Sequence, residues 1–147
     1  MKTFTCRCGQ RLFFENSFCL RCNRPVGFAP EHRLMLTFDG ARWEGADAAP
    51  KPYSPCRNYS EFQVCNWLVA VGEEDSYCRS CRLNRTIPNL TVTANLSRWR
   101  NLESAKRRLI YGLLQLGLPL AQPERGQVPL TFDFLEDRRS PPLRHRR

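Results

Sequence analysis

Eight cysteines in two groups of four, short runs of alternating apolar residues and one long apolar stripe at helical spacing predict a small metal-stabilised α+β fold. Two rubredoxin-like ribbon modules of four cysteines each are expected, followed by an amphipathic helix and a short strand. Cys6, Cys8, Cys19 and Cys22 are spaced C-x-C-x10-C-x2-C, and Cys56, Cys65, Cys78 and Cys81 are spaced C-x8-C-x12-C-x2-C. Four thiolates close on one ion at about 2.3 Å in a tetrahedral structural site of the zinc type. The two sets therefore predict two structural Zn(2+) ions with every ligand position filled by protein. Sequential grouping closes short loops at low entropic cost. A crossed set, with Cys6 and Cys8 sharing an ion with Cys56 and Cys65, is the alternative.

The chain has 147 residues, enough for one compact domain or two small modules. Segments this short bury little apolar surface, and metal supplies what small cores lack. No run of about 18 apolar residues is present, so no membrane span is expected. The start, MKTFTCRCGQ, has no apolar core of a secretory signal, which points to the cytoplasm and reduced thiols. That favours zinc over four disulfides. Iron in a rubredoxin-like site would use the same cysteines. The net charge is +9, and five arginines between Arg138 and Arg147 supply more than half of it; without them the chain carries +4.

The first module spans residues 1–28. Thr3–Thr5 and Leu12–Phe14 are rich in β-branched and aromatic residues and read as strands. Gly9 and Asn23 each follow a cysteine where a metal-binding turn requires positive φ. Residues 29–55 read as a connector, with a strand over Leu34, Leu36 and Phe38, a second ending at Trp43, and a proline-rich loop over 46–55. The second module, 56–90, has an eight-residue gap between Cys56 and Cys65, so Asn58 to Gln63 must loop out. Trp67, Leu68, Val69 and Val71 read as a buried strand.

Residues 91–120 carry a helix whose stripe is Leu96, Trp99, Leu102, Lys106, Leu109, Ile110, Leu113, Leu114 and Gly117. Thr93 is the expected N-cap and Gly117 the stop. Lys106, Arg107 and Arg108 read as a solvated face with aliphatic stems over the core. Residues 121–137 supply a linker and a short strand over Leu130, Phe132 and Phe134. That strand lacks an evident partner. Residues 138–147 read as a basic tail, expected to be disordered.

LFFEN (12–16), CNWLV (65–69), CRLNRTIP (81–88), AKRRL (105–109) and FDFL (132–135) resemble a bacterial family that joins a double zinc-ribbon region to a zinc-dependent metallopeptidase domain. The resemblance covers about Met1 to Asp137 and includes all eight cysteines. It implies continuation into a helix bearing H-E-x-x-H, whose histidines hold a catalytic zinc beside a glutamate base. This chain has two histidines, His32 and His145, and no second histidine lies four residues from His32. The expectation is therefore a ribbon region with the peptidase half absent. Truncation, a frameshifted end and a natural short form all fit.

Cysteine catalysis lacks a nearby base, and Glu73, Glu74, Asp75, Glu136 and Asp137 read as surface carboxylates. Nucleic-acid binding through Arg79, Arg82 and Arg85 is the rival function. It ranks behind a structural or protein-contacting role because the aromatics fall on apolar stripes. No catalytic residue is expected. Self-association or a protein partner is expected on the 96–114 stripe.

Overall fold

The computed structural model describes residues 2–45, 52–120 and 129–136. Most of the proline-rich loop, most of the linker and the basic tail lie outside the described residues. The observed class is the expected one: two four-cysteine clusters on short strands, a long helix and a short strand. Strand β1 (Thr3–Thr5) pairs antiparallel with β2 (Arg11–Phe13), Phe4 facing Leu12. Strands β3 (Val26–Ala29), β4 (Leu34–Phe38) and β5 (Trp43–Glu44) form an antiparallel sheet in that order. This sheet crosses the boundary expected at residue 28. The segment read as a connector is the middle of the molecule, because Met35, Leu36 and Thr37 are buried on both faces of β4.

In the second half, β6 (Tyr53–Pro55) pairs antiparallel with β7 (Leu68–Ala70). Val71 falls past the strand and is exposed. The loop after Cys56 opens with one helical turn, α1 (Arg57–Ser60). Helix α2 runs over Thr93–Gln115. Val92, not Thr93, is its N-cap, so Thr93 is the first helical residue. The C-terminus is a Schellman stop: Gly117 has φ +69°, its N–H donates to Leu114 O, and Leu118 N–H donates to Leu113 O. The final strand does have a partner. β9 (Phe132–Asp133) lies parallel to β8 (Asn84–Thr86), and the Arg85 guanidinium grips the Asp133 carboxylate across the pair.

One core joins both cysteine modules and the helix. Phe14 and Phe28 lie 5.0 Å apart, Phe28 and Trp67 5.0 Å, and Phe14 and Tyr111 4.3 Å, measured between ring centroids. Val26, Val69 and Ile110 fill in around them. A backbone bond from Phe28 N–H to Asn66 O, 2.8 Å, stitches the modules together. Close approach of β3 to β7 requires a glycine at position 27: a Cβ there would sit 2.5 Å from a Leu68 methyl. Gly27→Ala should therefore destabilise the metal-loaded chain by about 1–3 kcal/mol, the usual effect of overpacking. Denaturant unfolding checks it, and an unchanged midpoint would show that Leu68 has room to move.

Candidate metal centres

The loop joining β1 to β2 carries Cys6 and Cys8, and the turn between the bridged residues Phe18 and Pro25 carries Cys19 and Cys22. Gly9 takes φ +83° and Asn23 φ +58°, as the turns require. Gly9 N–H donates to Cys6 O and Asn23 N–H to Cys19 O, each at 2.8 Å. These turns place Cys6, Cys8, Cys19 and Cys22 with their sulfurs within 4.8 Å of one another. Cys56, Cys65, Cys78 and Cys81 form a second such group, so the grouping is sequential, not crossed.

The geometry can be tested against a metal. Four sulfurs at about 2.3 Å from a tetrahedral ion stand about 3.8 Å apart. Cys6 and Cys22 sulfurs are 3.7 Å apart, Cys8 and Cys19 3.6 Å, and Cys65 and Cys78 3.7 Å. A disulfide would need about 2.05 Å, and all eight cysteines are free. The donor set and its spacing fit a tetrahedral thiophilic ion.

Packing four like groups together pushes their pKa values apart. Burial works against the Cys19 thiolate, yet the backbone N–H groups of Cys22 and Arg21 and the sulfurs nearby bring Cys19 down to about 6. The Arg24 backbone N–H favours the Cys22 thiolate. Burial and the sulfurs of Cys19, Cys6 and Cys8 outweigh it and push Cys22 up to about 11. In the second cage, contacts from the Cys65, Cys78 and Cys81 sulfurs hold Cys56 well below the ordinary thiol range. Burial raises Cys78, and the neighbouring sulfurs raise Cys81. A divalent ion removes this conflict by taking all four as thiolates.

The cages differ in exposure. Cys8 and Cys22 are half-buried, whereas all four members of the second cage are buried. The first cage has Thr37 as a buried neighbour, its Oγ1 3.4 Å from Cys6 Sγ. In the second cage Trp67 N–H donates to Cys65 Sγ at 3.3 Å and Cys78 N–H to Cys56 Sγ at 3.4 Å. Metal should therefore leave in two phases under a chelator, the fast one from Cys6/Cys8/Cys19/Cys22. A single phase, or fast loss that Cys22→Ser does not remove, would contradict this ordering.

The buried face of helix α2 shares Trp99, Lys106 and Ile110 with the expected stripe but is turned from it toward charged residues. Its buried residues are Asn95, Trp99, Glu103, Lys106, Arg107 and Ile110. Lys106 and Arg107, expected in solvent, are buried, and Leu102 and Leu109 are about half exposed. The reason is a set of polar partners that no periodicity reveals. Arg107 Nη1 donates to Asn66 Oδ1, and Asn66 Nδ2 donates to Phe14 O at 2.7 Å and Asn16 O at 3.0 Å, tying α2 to the turn after β2. Leu113 and Leu114 are partly buried against the main core, so they are not its outer face.

Two four-sulfur cages carried on short antiparallel strands define a ribbon-type metal-binding protein. Residues 3–92 match a family described as a zinc-ribbon domain, and the chain belongs to that family. Residues 95–145 match a second family, described as "Putative zinc-binding metallo-peptidase". Proteins titled uncharacterized, from Mycobacterium bovis and two strains of Mycobacterium tuberculosis, are each 40% identical over 140 residues. The match covers 92% of this chain and 37% of each of theirs, so the chain spans little over a third of the length of these relatives. No solved structure matches it.

The second match corrects the expectation that the peptidase half is absent. A segment that matches the peptidase family is present, and the match begins at residue 95, within α2. The expectation rested on the missing H-E-x-x-H, and the match does not depend on that motif. The matched segment contains one histidine, His145, and no H-E-x-x-H. Among the described residues, no helix is long and apolar enough to cross a membrane.

Proposed function

We propose that the chain is a zinc-binding double ribbon whose two Zn(2+) ions are structural and whose ribbons support the peptidase-family segment that starts within α2. The observation that carries this reading is the sulfur spacing of 3.6–3.7 Å in both cages, with four protein ligands each and so no position left for a substrate. When bound, zinc supplies a fixed tetrahedral crosslink between loop ends. Cys6, Cys8, Cys19 and Cys22 would hold one ion, and Cys56, Cys65, Cys78 and Cys81 the other. The chain itself carries no hydrolysis, since an open catalytic zinc site needs a paired set of histidines or their equivalent. Arg82 is engaged by Glu73 and Asp75, and Arg85 by Asp133, which favours support over phosphate binding.

Metal analysis of the purified chain should give two zinc per molecule, and incubation with an unfolded protein substrate should give no cleavage. One ion per chain would defeat the paired-cage reading. Cleavage that is lost on Cys81→Ser would defeat the structural role. Self-association belongs to the same reading and runs through the outer face of α2, where Leu102, Leu109 and Leu116 recur at seven-residue spacing with 53%, 50% and 75% exposure. Leu102→Glu with Leu109→Glu should shift the chain to monomer in light scattering, with stability unchanged within about 0.5 kcal/mol. A wild-type monomer would remove the proposal.

A further inference from the structure

Helix α2 buries an ion pair against the second cage. Glu103 is 0% and Lys106 4% exposed, and Lys106 Nζ stands 2.6 Å from Glu103 Oε1. Cys81 Sγ lies 3.6 Å from that same carboxylate oxygen. Lys106 Nζ also donates to Ser80 O at 2.9 Å, inside the knuckle between Cys78 and Cys81. Asn84 serves both charges: its Nδ2 donates to Glu103 Oε2 at 3.2 Å, and its Oδ1 accepts from Lys106. The rings of Phe132 and Phe134 close over the ammonium at 5.6 and 5.7 Å. Taking both charges out of water is costly, and an apolar pair could fill the same space. Their position beside the sulfurs supplies a reason for keeping them.

Four thiolates around a divalent ion would give the centre two net negative charges. The Glu103 carboxylate, with Oε1 3.6 Å from Cys81 Sγ, would add a third beside it. The ammonium of Lys106 is hydrogen-bonded to the knuckle and paired with the carboxylate, so it faces this excess. Outer groups of this kind commonly set metal affinity by factors of 10–100.

We propose that Lys106 and Glu103 are positioning residues for the second metal centre: Lys106 offsets its charge and holds its knuckle, Glu103 holds Lys106, and docking of α2 is thereby coupled to metal in Cys56/Cys65/Cys78/Cys81. This rests on the reading of the cages as metal centres. The two can fail separately, because metal content of the wild-type chain is measured first. Fewer than two ions there defeats the ribbon reading.

With two ions bound, Lys106→Met should speed the slow phase of chelator-driven release by about 10–100-fold and leave the fast phase unchanged. Amides of α2 should exchange hydrogen faster. In the cobalt-loaded chain the sulfur-to-cobalt charge-transfer band should move to lower energy, since loss of a neighbouring cation raises the sulfur lone pairs. Lys106→Met with Glu103→Gln removes both charges and should return the slow phase to within about threefold of wild type, as for a buried pair replaced whole. A purely structural lysine would move neither the cobalt band nor respond to the second substitution. A wild-type slow phase and cobalt band in Lys106→Met would overturn the proposal. So would a double variant no better than the single one. If Lys106→Met does not fold, the double variant decides: folding with two ions supports the proposal, and failure overturns it.

Discussion

Stripping both ions from the folded chain will unfold residues 3–92 as one unit. Cys6, Cys19, Cys56, Cys65, Cys78 and Cys81 sit in the same buried cluster as Phe4, Leu12, Phe14, Phe28, Trp67 and Ile110. The strands around them run for two to five residues, too short to stand alone. Structural zinc contributes on the order of 10–16 kcal/mol in small metal-folded peptides, against a total stability of about 5–15 kcal/mol for an ordinary domain. Removal of the ions therefore takes away about as much free energy as the whole net stability of an ordinary domain. Near-ultraviolet circular dichroism should collapse on chelation and return when zinc is restored. Native dichroism without metal would show that the aromatic core suffices. Dichroism lost in two separate steps, one with each ion, would show that the modules fold independently.

Trp67→Ala should destabilise the metal-loaded chain by about 3–5 kcal/mol, the cost of a large cavity. Trp67 is fully buried and touches Phe14 of the first module and Phe28 of the central sheet, with ring centroids 6.0 and 5.0 Å away. It also follows Cys65 and Asn66, which bind one cage and one hairpin. Loss of the indole should loosen both cages, so both phases of metal release should quicken. Trp67→Phe should recover much of the loss, because the indole N–H has no hydrogen-bond partner among the described residues and its removal costs little. A midpoint shift worth less than about 1 kcal/mol for the alanine variant would mean the site collapses around the missing ring.

The cysteine groups were legible because metal ligation is local. Spacing within C-x2-C sets which sulfurs can converge, and Gly9 and Asn23 mark the turns that converge them. β1, β4 and the Gly117 stop were legible for the same reason: each depends on residues within a few positions of one another. The helix was legible as a helix, and Trp99 and Ile110 as part of its buried face, but not the full face. Leu102 and Leu109 look like core on a helical wheel, yet they point outward. Glu103, Lys106 and Arg107 look like surface, yet they are buried. Burial of a charge depends on partners brought from Ser80, Asn84 and Asn66, between 19 and 41 residues away in sequence. No periodicity carries that information.

The same contrast separates β9 from the earlier strands. Phe132 and Phe134 alternate as a strand should, but its partner, Asn84–Thr86, is polar and short and carries no strand signal of its own. A parallel pair across so long a separation is chosen by packing: Phe132 and Phe134 cover Lys106, and Asp133 meets Arg85. The sequence by itself determined the eight cysteines, the turns and the presence of one long helix, since each follows from short-range chemistry, while the structure decided between sequential and crossed grouping. Only the tertiary structure decided that both modules share a core, that the supposed connector lies at its centre, and that α2 turns its charges inward, because those outcomes depend on desolvated charges finding partners from distant parts of the chain.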